Sequence, residues 1–214
     1  MGKITAIEVQ KKNKNRFNVY IDDSFAFAVH EDVIVSHNLT VGKELPADYI
    51  EKVVLAEEQS KAKNYALRLL GYRARSEHEI RSRLHQKGFE RDIIEETVRF
   101  LKKYNYIDDY AFAKTLVNDE LNLKHSGEAL IKQKLLQKGI SKEIIQSVLS
   151  EILDEEESLA ACKTLAGKKL NTSYRNDAPK DKMRKLVAFL QRRGYPYSMI
   201  KKAVRELLDD DFDL

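Results

Sequence analysis

Apolar residues recur along most of this chain at the three- and four-residue spacing of an amphipathic helix, and one such pattern appears three times in the same frame. Leu84 to Leu101 reads LHQKGFERDIIEETVRFL, Leu135 to Ile152 reads LLQKGISKEIIQSVLSEI, and Leu190 to Leu207 reads LQRRGYPYSMIKKAVREL. The three align without a gap when Gly88, Gly139 and Gly194 are superposed. Four residues before each glycine stands Leu84, Leu135 or Leu190, and eight before it Ile80, Ile131 or Leu186. Downstream come Ile94, Val98 and Leu101, then Ile145, Leu149 and Ile152, then Ile200, Val204 and Leu207, spaced i, i+4, i+7. That stripe predicts helix, tight corner, helix in each copy. The glycine falls just past a helix end, where a left-handed residue lets the chain turn away. A cation precedes it each time (Lys87, Lys138, Arg193), facing the negative end of the helix dipole. The glycines lie 51 and 55 residues apart, enough for three helices per unit. One copy cannot bury its own stripe, so the pattern predicts a mainly α chain of tandem three-helix repeats stacked into an elongated, curved array.

Upstream the period changes. Ile4 to Gln10 and Arg16 to His30 alternate apolar and polar residues, with turn formers between them in KKNKN and at Asp22-Asp23, which predicts two or three short antiparallel strands. Such a sheet is marginal alone and is expected to dock on the helices behind it through Val33, Ile34 and Val35. Thr40 to Pro46 reads as a loop, and Asp48 to about Leu70 as one long helix or two. The organisation expected is a β segment over 1–46, repeat one over 47–106, repeat two over 107–156, and repeat three with an acidic tail over 157–214. Helix starts are marked by the S-x-x-E capping box at Ser76, by Asp108, Ser126 and Ser141 as caps, and by Pro179 in a first turn. The last helices are expected over Ser158 to Leu170, Lys180 to Arg193 and Pro196 to Leu208.

Composition narrows the classes. The chain has 214 residues, 43% hydrophobic and 34% charged, with a single cysteine, Cys162. An internal disulfide is thereby excluded, and Cys162 reads as a small buried apolar residue in a reducing compartment. No stretch approaches the roughly 20 apolar residues of a membrane span, so a cytoplasmic, monomeric protein with no membrane partner is expected. Charge is unevenly placed. From Leu159 to Leu208 thirteen Lys and Arg face three acids, about +10, while acids gather in Asp154 to Glu157 and in the tail at Asp209, Asp210, Asp211 and Asp213. A basic block of this kind meets nucleic acid or an acidic protein surface.

Catalytic chemistry is not evident. There is no phosphate-binding loop, no G-x-G-x-x-G and no nucleophile elbow. His78 and His85 are two helical turns apart, roughly 10 Å, too far for one metal ion. Asp22-Asp23 and Asp108-Asp109 read as turn and cap residues rather than paired catalytic carboxylates. The expectation is a non-enzymatic binding protein with no cofactor or metal.

Three features carry a family resemblance: Arg73-Ala74-Arg75-Ser76 before the second helix, Leu84-x-x-Lys87-Gly88-Phe89, and Tyr106-Ile107-Asp108-Asp109-x-x-Phe112-Ala113. In this order and spacing the chain resembles the RecX family of bacterial regulators of the RecA recombinase over nearly its whole length. The third unit departs from the others, with Phe189 where Arg83 and Lys134 stand and a longer preceding loop. Some long relatives extend further. The resemblance implies a protein that binds along the helical groove of the RecA filament on single-stranded DNA and limits recombinase, ATPase and coprotease activities. The partner-contacting candidates are then the cations of the second helices and corners: Arg73, Arg75, Arg81, Arg83 and Lys87; Lys132, Lys134 and Lys138; Arg184, Lys185, Arg192 and Arg193. Lys87, Lys138 and Arg193 read equally as dipole partners, and Arg73 and Arg75 equally as solvated loop residues. Tyr195 reads as core, whereas Tyr197 is open between core and base stacking. Direct contact with single- or double-stranded DNA is the alternative, as a stand-alone nucleic-acid-binding repeat protein. A pure protein scaffold would leave the basic block unexplained.

Overall fold

The computed structural model of the chain describes residues 1–11 and 13–208. They divide into two units, Met1–Ile107 and Asp108 onward.

The first unit opens with strands β1 (Gly2–Gln10), β2 (Asn13–Ile21) and β3 (Ser24–His30), followed by a one-and-a-half-turn helix α1 (Glu31–Ser36), a two-residue strand β4 (Glu44–Leu45) and helix α2 (Ala47–Tyr72). The sheet is antiparallel in the order β3-β2-β1-β4. Asp22 and Asp23 both take positive φ, 48° and 64°, between the paired Ile21 and Ser24. Two left-handed residues make the tight turn whose twist matches the strands, so this aspartate pair is hairpin chemistry. The stretch 40–46, read from sequence as loop, holds β4. Ile4 exchanges backbone bonds with this stretch, accepting from Gly42 N–H and donating to the Lys43 carbonyl, each at 2.8 Å. So short a strand has no alternation to read. On the buried face Ile4, Val19 and Val29 are wholly enclosed with Val33, Leu39, Leu45 and Val53, which ties the sheet to α1 and the start of α2. Val33 and Ile34 make the expected contact, while Val35 points to solvent.

Helix α2 is one continuous element of 26 residues. Its first half carries the sheet. Its second half, through the fully buried Ala62 and Ala66, packs on helices α3 (Glu77–Gln86) and α4 (Arg91–Lys103) around Ile80, Leu84, Val98 and Leu101. Ser76 caps α3 by accepting from Glu79 N–H at 3.2 Å.

In the second unit, helices α5 (Asp109–Asn122), α6 (Glu128–Gln137) and α7 (Lys142–Ile152) enclose Val117, Ile131, Leu135, Ile145 and Val148. Helices α8 (Glu155–Asn171), α9 (Pro179–Arg192) and α10 (Tyr197–Leu208) enclose Cys162, Ala166, Leu186, Leu190, Tyr195 and Ile200. Asp108 and Ser141 cap α5 and α7 as expected. Ser126 does not cap α6, where Gly127 holds that position; its hydroxyl instead donates to the buried carboxylate of Glu120 at 2.8 Å. Helix α8 begins three residues earlier than the hydrophobic pattern suggested, because Asp154 accepts from Glu157 N–H at 2.9 Å. The acids Glu155, Glu156 and Glu157 then fill the first turn, where the dipole favours them. Cys162 is wholly buried, and desolvation pushes its thiol up to about 11. The acidic tail lies outside the described residues.

The three corners share one geometry. Gly88, Gly139 and Gly194 have φ of 89°, 74° and 88°. Each donates to the carbonyl three residues back (His85, Leu136, Gln191), and the following residue donates to Leu84, Leu135 or Leu190. This is the Schellman closure, and the residues after the glycines, Phe89, Ile140 and Tyr195, join the same apolar clusters as those leucines.

Candidate partner-binding surfaces

The twelve cations proposed from sequence differ in whether a carboxylate or a backbone carbonyl of the chain already engages them. In the first repeat Arg81 is spent. Its guanidinium makes paired bonds of 2.7 and 3.0 Å to Glu95 on α4 and one of 2.7 Å to Glu77. Glu77 also binds Lys102, and although burial works against it, the hydrogen bonds from Lys102 and Arg81 leave its carboxyl below the usual range. Arg73 bridges to Glu79 at 3.0 Å and to the carbonyl of Ala74, and Arg75 donates to the Leu69 carbonyl at 3.2 Å. Both close the connector between α2 and α3. Arg83 and Lys87 stay exposed, Arg83 with a 3.4 Å contact to Gln86.

In the second repeat Lys134 is drawn inward. Glu120 on α5 is 3% exposed and holds Lys124, Ser126 and Lys134. Burial alone would raise its pKa, but the bonds from Lys124, Lys134 and Ser126 prevail and bring it down to about 2. Lys132, two residues away on the opposite side of α6, is exposed and stands over an open groove of about 830 Å³ between α6 and α7, beside Leu136 and Ile145. Lys138 is half-buried at its corner.

In the third repeat Arg184 and Lys185 pair with Asp181 and Asp177 at 3.1 and 2.9 Å. Arg193 belongs to a joint between repeats two and three. Its guanidinium donates to the Lys124 carbonyl, and its own carbonyl accepts from Gly127 N–H at 2.8 Å. Gly194 accepts from Ala129 N–H at 3.1 Å, and the Tyr195 hydroxyl donates to the His125 carbonyl at 2.9 Å. The third corner thus supplies acceptors to the first turn of α6, whose N–H groups have no partner within their own helix. The approach leaves no room for a side chain: a Cβ on Gly194 would overlap the backbone nitrogen of Leu130, and one on Gly127 would lie 2.5 Å from the Gly194 carbonyl. Tyr195 is buried as expected, and Tyr197 is half-exposed. Arg192 is exposed and makes no ion pair among the described residues.

Of the twelve, Arg83, Lys87, Lys132 and Arg192, spread over all three repeats, are exposed and make no ion pair among the described residues. A further cation set, Arg16, Lys61 and Arg68, has no contiguous sequence signal because it is assembled from β2 and α2. The only trace is the one-face spacing Lys61, Tyr65, Arg68 on α2. Among the described residues no helix is long and apolar enough to cross a membrane, and no group of three metal-ligating side chains converges.

Comparison with known proteins agrees with this arrangement domain by domain. Residues 2–46 match the RecX N-terminal domain, and 62–101, 108–149 and 155–204 match the first, second and third RecX three-helix domains. The chain is 38% identical over 213 residues to the regulatory protein RecX of Clostridium perfringens (strain SM101 / Type A), covering 99% of both. To the regulatory protein RecX of Clostridioides difficile (strain 630) it is 34% identical, covering 100% of both. Among solved structures it resembles a crystal structure of regulatory protein RecX with a TM-score of 0.77 and 32% identity, over 94% of this chain and all of that one. A crystal structure of RecX from Lactobacillus salivarius gives 0.64 and 30%, over 71% of this chain and 97% of that one. With a hairpin sheet followed by three helical modules in that order, each closed by the same left-handed glycine, the chain belongs to the RecX family of regulatory proteins.

Proposed function

We propose that this protein is a non-enzymatic regulator that binds the RecA filament on single-stranded DNA, along its helical groove, and chiefly restrains its recombinase, ATPase and coprotease activities. The observation that carries this reading is the match of the whole chain, all four domains in order, to a family of regulatory proteins. One feature of the molecule supports it. The exposed cations Arg83, Lys87, Lys132 and Arg192 give each repeat a charge available to a phosphate or an acidic surface. Arg73, Arg75, Arg81, Lys134, Arg184, Lys185 and Arg193 instead make ion pairs or backbone bonds within the chain, and the proposed contact surface contracts accordingly.

The test uses RecA on single-stranded DNA. Adding the protein is expected to lower ATP hydrolysis, and the protein is expected to sediment with the filaments at a salt concentration that abolishes its binding to DNA alone. Unchanged hydrolysis would overturn the regulatory reading. Equal salt sensitivity of filament and DNA binding would favour a stand-alone nucleic-acid-binding protein. Replacing Arg83, Lys87, Lys132 and Arg192 together with Gln is expected to weaken inhibition about tenfold or more, each surface charge contributing a few tenths to one kcal/mol, with helix content by circular dichroism unchanged. Arg193→Gln belongs in a separate variant, because it breaks the joint at Lys124.

A further inference from the structure

In the first unit a cleft of about 370 Å³ opens between the sheet and the first repeat. Arg16 reaches it from β2, Lys61, Tyr65 and Arg68 from one face of α2, and Lys87 and Phe89 from either side of the Gly88 corner. Among the described residues no aspartate or glutamate lines it. Beneath the cleft Glu57, 3% exposed, fixes the geometry: it accepts from His30 N–H at 2.6 Å and pairs with Arg16 at 2.9 Å, fastening β2 and β3 to α2. Arg16 is thereby committed, and Lys61 is occupied by Glu58 at 2.8 Å. Arg68 and Lys87 have no carboxylate partner among the described residues, and both are exposed. The same cleft is lined by two rings, Tyr65 and Phe89, with centroids 6.4 Å apart, and the Arg68 guanidinium lies 5.5 Å from the centre of Tyr65.

Two exposed cations without a carboxylate partner beside a pair of half-buried rings match one repeating unit of a single-stranded nucleic acid: phosphate to Arg68 and Lys87, base against the rings. A duplex keeps its bases stacked and does not present them to rings in a cleft. An acidic peptide would use the cations and leave the rings without a partner. We infer that the cleft between the N-terminal sheet and the first repeat is a single-stranded nucleic-acid site, with Arg68 and Lys87 holding backbone phosphate and Tyr65 and Phe89 stacking a base. This goes beyond the filament reading, because it needs no RecA. It also gives the N-terminal sheet a role, as the wall that completes the cleft.

The experiment is run with the whole protein and a fluorescent oligothymidylate, without RecA, so its failure leaves the ATPase test above untouched. Arg68→Gln with Lys87→Gln is expected to weaken binding about tenfold and to flatten the dependence of log K on log salt by about 1.4, the value for two phosphate contacts on a single strand. Lys142→Gln with Lys182→Gln, which removes the same charge from the second unit, is expected to change binding less than twofold. With an oligonucleotide carrying 5-iodouracil, photocrosslinking is expected to mark the peptide containing Tyr65 or Phe89. Equal losses in the two charge variants, crosslinks confined to the second unit, or full competition by polyglutamate would each overturn the assignment.

Discussion

Single residues decide where this chain turns and what it tolerates there. Gly88 and Gly194 occupy the same position of the same motif, yet their surroundings differ. At Gly88 an added Cβ meets nothing within 4 Å, so only the left-handed backbone resists it, whereas at Gly194 the Cβ would enter the backbone of α6. Gly88→Ala is therefore expected to cost about 1–2 kcal/mol. Gly194→Ala is expected to cost at least about 2 kcal/mol more, since it also pries the third corner off Gly127 and Ala129; urea denaturation of both variants measures the difference. Equal costs would mean that the joint yields freely. Glu120 provides a second residue-level test. Its carboxyl titrates near 2 in the folded protein and in the ordinary carboxylate range when unfolded. A depressed folded pKa contributes stability that is complete above about pH 4.5 and is lost as pH falls toward 2. Thermal melts of the native protein are expected to fall more steeply through that window than those of Glu120→Gln. Parallel curves would remove Glu120 as the source.

Two joints between elements of this chain carry a buried carboxylate beside their apolar contacts. Glu57 does for the sheet and α2 what Glu120 does for α5 and α6: each sits at 3% exposure and answers groups from a neighbouring element. Glu57→Ala would leave Arg16 and the His30 N–H facing a void. The expected loss is about 3 kcal/mol, the usual cost of removing one partner of a buried pair. Amide exchange in β3 is expected to accelerate while that of α5 to α7 stays unchanged; protection in β3 equal to the native protein would show that the apolar core holds the sheet alone.

For the whole molecule, the relevant fact is that each unit has its own cores. Residues up to Ile107 enclose one core under the sheet and one within the first repeat, and Asp108 onward enclose one per repeat. A fragment of residues 1–107 is expected to fold by itself and melt cooperatively, as judged by circular dichroism, and to keep the oligothymidylate binding assigned to its cleft. A fragment without a cooperative transition would show that the units depend on each other for stability.

Much of the molecule could be read from the chain because it rests on local rules. The i, i+4, i+7 stripes gave the corner helices, the left-handed corners needed glycine, Ser76, Asp108 and Ser141 had the short acceptors that caps require, and alternation marked the hairpins. These signals span a few residues, and the same residues satisfy them in the fold. What the chain alone did not disclose depends on partners distant in sequence. Whether a lysine or arginine faces solvent is set by a carboxylate 14 residues away, as for Arg81 with Glu95 and Lys134 with Glu120, or by a carbonyl 69 residues away, as for Arg193 with Lys124. The cleft gathers Arg16, Arg68 and Lys87 from three separate elements. Periodicity fixes which face of a helix is buried, but only tertiary packing determines which charges are neutralised there, because a Coulomb partner is defined by distance in space and not along the chain.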